Sequence, residues 1–192
     1  RLPTERLSQK NVEVVLDPTL LLSQSDWCEV EEPAFGEQLP SNGYILVYFL
    51  GKNPAVVQAV QELHKRTGLP VVSLDEKLNG VKAIRPIAGP SEFLTLFHHA
   101  SYVLTSSFHG TVFSIQYQKP FSGVWKWYIQ LENEYAAGCI GLKERMMGSE
   151  VASVTERMNS TIHWEQVQLC HMQEKKRSLA FLQKALHENR EE

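Results

Sequence analysis

The segment that most constrains the fold of this chain runs from Ala100 to Phe121. Its apolar residues at 102–105 predict a buried strand, and the polar pair at 106–107 predicts a tight turn. A helix is predicted to begin at 108–111, and a second strand follows the Lys-Pro pair at 119–120. A strand, a helix and a strand at this spacing indicate a parallel βαβ unit in an open α/β sheet.

One histidine, His109, stands at the junction of the first strand and the helix. In an open α/β sheet, ligands bind beyond the carboxyl ends of the strands. A helix start also offers free backbone N–H groups and the positive end of a dipole, which suit a phosphate or carboxylate. Because imidazole changes charge near neutral pH, the pattern predicts an anionic ligand and a proton transfer. The alternative is a capped helix with a half-buried histidine.

Similar units recur along the rest of the chain. Further strands are predicted at residues 44–50, 69–74, 83–87, 121–124 and 149–154. One helix is predicted from Pro54 to Gly68. A second is predicted to follow a Gly89-Pro90-Ser91 turn, with Ser91 as its N-cap. A third is predicted over 164–188, with Val167, Leu179, Leu182 and Leu186 on its apolar face. Residues 28–42 are polar and broken by Pro and Gly, which indicates a loop or linker. The pattern predicts one α/β domain over residues 1–192, with a parallel sheet and helices on both faces.

Several polar turns should meet at one edge of this sheet, because the carboxyl ends of parallel strands share an edge. Three such turns contain glycine: Gly51-Lys52-Asn53, Gly89-Pro90-Ser91, and the Ser106-Ser107 turn running on to Gly110 and Thr111. We expect them to form a binding site, although Gly and Ser are also simply good turn formers. Trp125 and Trp127 flank a lysine after the 121–124 strand, where they either stack on a sugar or pack at a domain edge.

Composition excludes several classes of function. A formal net charge of -3 argues against a general nucleic-acid binder. No apolar run approaches the roughly 20 residues that span a bilayer, so no transmembrane segment is expected. Three scattered cysteines indicate reduced thiols and a cytoplasmic location. Neither CxxC nor HxxxH spacing occurs, so no metal site is expected.

Several motifs of this chain, in their order and spacing, resemble those of the polysaccharide pyruvyl transferases. The resemblance covers most of the chain. It is carried by Asp17-Pro18-Thr19-Leu20-Leu21-Leu22 with Trp27 after it, Gly89 to Phe93, Ala100, Thr105 to Gly110, Lys119-Pro120-Phe121, Trp164-Glu165 and Arg177-Ser178.

The resemblance implies a Rossmann-like fold similar to one half of a GT-B glycosyltransferase, with this chain as the C-terminal half and an N-terminal half as its partner. It implies transfer of an enolpyruvyl group from phosphoenolpyruvate to a saccharide or lipid-linked saccharide, giving a pyruvate ketal in cell-surface polysaccharide biosynthesis. By the same resemblance, His109 meets the donor as general acid and its phosphate rests on the N–H groups of Gly110 and Thr111. No cofactor besides the donor is implied. The enzyme would be cytoplasmic or peripheral to the inner face of the membrane.

One departure from the family pattern affects the donor site. Some members carry arginine where this chain has Ser107, so Lys52, Arg85 or the N-terminal half would supply the missing positive charge. Two alternatives follow. The domain is a nucleotide-sugar glycosyltransferase in which Glu92 holds a ribose, or it is a non-catalytic saccharide-binding domain.

Overall fold

The computed structural model of the protein describes residues 13–50, 54–74, 78, 80–124, 142, 146–147, 158 and 160–188. The strands in these ranges are β1 (Ile45–Tyr48), β2 (Val71–Ser73), β3 (Ala83–Ile84), β4 (Tyr102–Thr105), β5 (Phe121–Val124) and β6 (Met146–Met147). The helices are α1 (Gln24–Cys28), α2 (Pro33–Gly36), α3 (Pro54–Thr67), α4 (Pro90–His99), α5 (Phe108–Gln116) and α6 (Trp164–Glu188), and a 3-10 helix spans Pro18–Leu20.

The strands form one parallel sheet in the order β3-β2-β1-β4-β5-β6. This is the strand order of the Rossmann fold. From β1 the chain adds β2 and β3 on one side, and it then returns to add β4, β5 and β6 on the other side of β1. The predicted Rossmann-like parallel sheet is therefore confirmed, and its switch point lies between β1 and β4.

Helices cover both faces of the sheet, as predicted. Successive strand residues point to opposite faces, so Leu46 packs with Phe97 of α4 and Phe113 of α5 on one side. Its neighbour Val47 packs with Val60 and other residues of α3 on the other side. Helix α6 joins the first face through Val167.

The strand predictions differ from the structure mainly in length. β4 and β5 have the predicted bounds, whereas the other predicted strands pair over fewer residues. β3 ends at Ile84 because it lies at the edge of the sheet and Pro86 follows, which has no N–H to donate. The strand predicted at 149–154 lies outside the described residues.

The helix boundaries confirm one prediction and correct another. Gly68 ends α3 in the left-handed conformation, with φ of +68°. The predicted N-cap Ser91 is wrong, because α4 begins at Pro90 and its N-cap is Gly89. Proline fits the first helical position, and the Glu92 carboxylate accepts a hydrogen bond from the Gly89 N–H at 3.0 Å.

The predicted apolar face of α6 is only partly buried. Val167 is buried, but Leu179 and Leu186 are 36% and 67% exposed. The fully buried Ser178 is the polar exception, because its hydroxyl accepts a hydrogen bond from the Leu16 N–H at 2.9 Å. Among the described residues, none of the helices combines the length and apolarity needed to cross a membrane.

The segment predicted as a loop or linker, residues 28–42, is tied into the domain. It contains the short helix α2, whose Phe35 packs against the core together with Leu39. The backbone of Glu32 exchanges hydrogen bonds with the Thr95 hydroxyl of α4, at 3.0 and 3.3 Å. The segment is thereby fixed against α4.

Candidate functional site at the switch point

The turn after β4 joins the carboxyl ends of β1 and β4. The Thr105 hydroxyl donates to the Tyr48 carbonyl at 2.8 Å and accepts from the Ser107 N–H at 3.0 Å. The Ser106 N–H donates to the same Tyr48 carbonyl, and the Ser106 hydroxyl accepts from the Leu50 N–H at 2.9 Å. These hydroxyls therefore hold the two strand ends together at the switch point.

Ser107 then begins α5 as its N-cap. Its hydroxyl accepts from the Gly110 N–H at 3.4 Å, and its carbonyl accepts from the Thr111 N–H at 3.0 Å. Ser106, Ser107 and Thr111 are all buried. Ser107, at the position where some family members carry arginine, therefore lies inside the turn.

This arrangement corrects the expected phosphate donors. The N–H groups of Gly110 and Thr111 are already bonded to Ser107, so they do not offer a free anion site. The first N–H groups of a helix have no partner within the helix. Within the described part of the chain, no acceptor bonds the N–H groups of Phe108 and His109. These two donors are the ones left for a ligand.

Gly110 lets α5 pack tightly against the end of β4. A Cβ atom at this position would overlap the Thr105 hydroxyl oxygen and lie 3.0 Å from Thr105 Cβ. Thr105 is completely buried, so it has no space into which to move. The glycine therefore sets the position of the first turn of α5, on which His109 lies.

His109 is the exposed member of this turn. It is the second residue of α5, and its ring meets the Phe108 ring edge-on with centroids 5.3 Å apart. Phe108 in turn packs on Leu16 and Leu20, which anchors the start of the helix. The imidazole is thus held at the carboxyl edge beside the switch point, where Rossmann-like sheets bind ligands.

The other predicted site residues lie at different distances from this point. Phe93 meets the Tyr48 ring with centroids 5.4 Å apart, so the start of α4, with Ser91 and Glu92, lies beside the end of β1. Arg85 follows β3, three strands from β4, which is about 14 Å along the sheet. Gly51, Lys52, Asn53, Trp125 and Trp127 lie outside the described residues.

A second group of polar side chains, absent from the sequence predictions, lies at the opposite edge of the sheet. Cys28, Glu31 and His98 bring a sulfur, a carboxylate oxygen and a ring nitrogen within 4.8 Å of one another. Burial, and then the neighbouring Glu31 carboxylate, raise the pKa of the Cys28 thiol to about 11. The only sequence signals were a Cys and a Glu three residues apart and a distant pair of histidines, none of which is specific.

Comparisons with known proteins agree with this fold. The chain is similar in structure to UDP-GlcNAc 2-epimerase from Methanocaldococcus jannaschii, with a TM-score of 0.61 and 15% sequence identity, over 85% of this chain and 54% of that one. It is also similar to the calicheamicin glycosyltransferase CalG4, with a TM-score of 0.46 and 18% identity, over 72% of this chain and 39% of that one. The chain therefore spans about half the length of the epimerase, and the epimerase likeness supports the fold alone.

Sequence comparison is more specific. No curated protein sequence matches the chain. The model of the family described as polysaccharide pyruvyl transferase matches residues 5–125, which is more than half of the chain. This range includes the Asp17-Pro18 segment, the switch-point turn and His109. The chain belongs to the polysaccharide pyruvyl transferase family.

Proposed function

We propose that this protein transfers an enolpyruvyl group from phosphoenolpyruvate to a saccharide and closes it into a pyruvate ketal. The observation that carries the proposal is the exposed imidazole of His109 at the switch point, beside two N–H groups that no acceptor in the described residues bonds. An anion-binding helix start next to a titratable group matches a donor that carries phosphate and must be protonated.

The reaction requires proton transfers that a histidine can perform. The methylene carbon of the donor gains a proton and becomes a methyl group, and a sugar hydroxyl oxygen bonds to the adjacent carbon. A second sugar hydroxyl then displaces the phosphate from that carbon. Two C–O bonds form and one breaks. Of the two hydroxyl protons released, one balances the new methyl group and the other leaves with the phosphate.

We assign His109 as the general acid that protonates the methylene carbon. The N–H groups of Phe108 and His109, at the positive end of the α5 dipole, would hold the phosphate or the carboxylate. Because Ser107 is buried in the turn, the expected cation must come from another residue. Lys52 is our prediction for it. Arg85, about 14 Å along the sheet, is better placed for a distant part of the ligands.

We further propose that the acceptor binds between this domain and a second Rossmann-like half. The chain covers 54% of the epimerase to which it is similar, and positioning both reactants supplies much of an enzyme's rate. Residues 1–192 alone should therefore turn over little donor. The acceptor is a saccharide or a lipid-linked saccharide, which favours a cytoplasmic enzyme near the inner face of the membrane.

The decisive experiment measures phosphate release from phosphoenolpyruvate by the full-length enzyme with a saccharide acceptor. His109→Ala should lower turnover about 10²–10⁴-fold while leaving the urea unfolding midpoint nearly unchanged, because His109 is exposed. His163→Ala, which removes another exposed histidine, should leave turnover unchanged. His109→Gln keeps a hydrogen bond but cannot move a proton, so it should stay as slow as the Ala variant.

Three results would refute parts of this assignment. Restored activity in His109→Gln would make His109 a binding residue rather than an acid. Normal activity per folded molecule in both variants would make it a packing residue. Protection against unfolding by UDP- or GDP-sugars, but not by phosphoenolpyruvate, would favour the nucleotide-sugar alternative, and protection by saccharide without any turnover would favour a binding domain.

A further inference from the structure

The second cluster lies at the amino edge of the sheet, away from His109. Cys28 ends α1, Glu31 follows it in the next loop, and His98 is near the end of α4. His98 stacks on Tyr117, which caps the end of α5, with centroids 5.0 Å apart and planes at 11°. His109 is at the other end of this helix, about 12 Å away along its axis.

The three side chains converge on one point. His98 Nδ1 is 2.9 Å from Glu31 Oε2 and 4.0 Å from Cys28 Sγ. They come from separate parts of the chain, yet the backbone that carries them is fixed. The Glu32 N–H and carbonyl both bond the Thr95 hydroxyl, one helical turn before His98. This places the loop and the helix in register without help from the cluster.

The cluster contains a polar atom that its neighbours do not satisfy. The Glu31 side chain is only 8% exposed, and its Oε1 atom is buried with no hydrogen-bond partner in the described part of the chain. The charged groups near it are Lys119 and, if protonated, His98 and His99. Burial, and then interaction with Glu31, raise the pKa of the Tyr117 hydroxyl, so this hydroxyl is close to the same carboxylate. Burying a carboxylate with an unbonded oxygen is costly unless a cation or a donor completes its environment.

We propose that Cys28 Sγ, His98 Nδ1 and a carboxylate oxygen of Glu31 bind a zinc ion, with water as the fourth ligand. Sulfur, imidazole nitrogen and carboxylate oxygen together form a donor set that suits Zn²⁺. Tetrahedral zinc would place sulfur about 3.6 Å from nitrogen and nitrogen about 3.3 Å from oxygen. The present separations of 4.0 and 2.9 Å need changes of about 0.4 Å each to reach these values. The sulfur and the carboxylate oxygen, which lie within 4.8 Å of each other, would have to reach about 3.6 Å.

The position of the site indicates a structural role. A zinc ion there would join the loop between α1 and α2 to the end of α4, beside Tyr117 at the end of α5. It would hold the 13–42 segment on the sheet at the edge opposite to the reaction. The ion would therefore stabilise the fold of the domain, whichever donor the enzyme uses.

The test adds Zn²⁺ alone to the untagged full-length protein after treatment with a chelator. We expect one tightly bound zinc per chain by elemental analysis and a higher melting temperature with zinc. Cobalt in place of zinc should give a thiolate-to-cobalt charge-transfer band. Cys28→Ser should abolish this band, and Cys28→Ser, His98→Ala and Glu31→Gln should each weaken zinc binding by at least about 10–100-fold.

Two matched controls make the result specific. Cys170→Ser and His163→Ala change a second cysteine and an exposed histidine, neither of which belongs to the cluster, and both should bind zinc like the parent. Circular dichroism without zinc identifies any variant that fails to fold, and Glu31→Gln, which keeps the side-chain volume, then decides. Absence of stoichiometric zinc in the folded parent would overturn the proposal, as would a cobalt band that survives Cys28→Ser or equal losses in the controls.

Discussion

The two ends of helix α5 use polar residues in opposite ways. At its start, Thr105, Ser106 and Ser107 are buried and bond to backbone groups of the turn and of β1. At its end, a Glu31 carboxylate oxygen and the Tyr117 hydroxyl are buried near each other, and neither has a hydrogen bond of good geometry in the described part of the chain. The first group is satisfied within the protein, whereas the second is incomplete.

This difference shows that a dense polar motif is not necessarily one that faces a ligand. The Thr-Ser-Ser-Phe-His-Gly run looks like a ligand-binding loop in the sequence, yet most of its hydroxyls shape the backbone. It holds the exposed imidazole of His109 at the switch point, beside two N–H groups that no acceptor bonds in the described part of the chain. Of the three buried side-chain oxygens without a partner in the described part of the chain, two, on Glu31 and Tyr117, lie at the sparse amino-edge cluster, and the third, on Ser122, is in β5.

Gly110→Ala should have the largest effect on stability, because its methyl group would overlap Thr105 in a fully buried turn. We expect a loss of about 1–3 kcal/mol from overpacking, measured by urea unfolding, and lower turnover because His109 shifts with the helix. In a Thr105→Ala background the same change should be less harmful, with a coupling energy of about 0.5–3 kcal/mol. Equal losses in both backgrounds would mean that the two residues are not in contact.

Thr105→Val should be the next most harmful change. Valine keeps the shape of the side chain but leaves the buried Ser107 N–H without its acceptor, which is expected to reduce stability by about 1–3 kcal/mol. Thr111→Val is the matched control. The Thr111 hydroxyl donates to the Ser107 carbonyl, which also accepts from the Thr111 backbone N–H. Because the variant keeps this backbone hydrogen bond, the carbonyl is not left unpaired. Equal effects of the two variants would contradict the role given to Thr105.

Ser107→Ala should have a moderate effect, because it removes the N-cap of α5. The cap bond to Gly110 is long, at 3.4 Å, so we expect a loss of about 0.5–1 kcal/mol, with recovery in Ser107→Asp. Ser91→Ala, at the position wrongly predicted as a cap, should change the unfolding midpoint little. A larger loss at Ser91 than at Ser107 would reverse our assignment of the two helix starts.

Glu31→Gln should have the smallest effect when zinc is absent. Its carboxylate is almost fully buried, and a neutral amide of the same size costs less to bury than a charge. The glutamine oxygen can still accept the hydrogen bond from His98 Nδ1, so we expect a change within about 1 kcal/mol, measured by urea unfolding in chelator. A loss as large as that of Gly110→Ala would mean that the amino edge is as fully satisfied as the carboxyl edge.

The sequence predicted the sheet well because local patterns specify it. The largely apolar run at 102–105 gave β4 its bounds, the Lys-Pro pair at 119–120 gave β5 its start, and Gly68 ended α3 where a left-handed residue was needed. The errors occurred where neighbours decide the outcome. Proline at 90 moved the start of α4 ahead of Ser91, and the contact of Ser178 with Leu16 buried a serine on α6. Neither effect follows from periodicity alone.

By itself, the sequence determined the parallel α/β fold, the family and the place of His109 at the end of a strand, because these depend on residues near one another in the chain. Only the tertiary structure decided which groups are free to bind. Hydrogen bonds from β1 and within the turn occupy the serines and threonines, and three residues up to 70 positions apart converge at the amino edge. Such pairings depend on how the elements pack, and no local pattern records them.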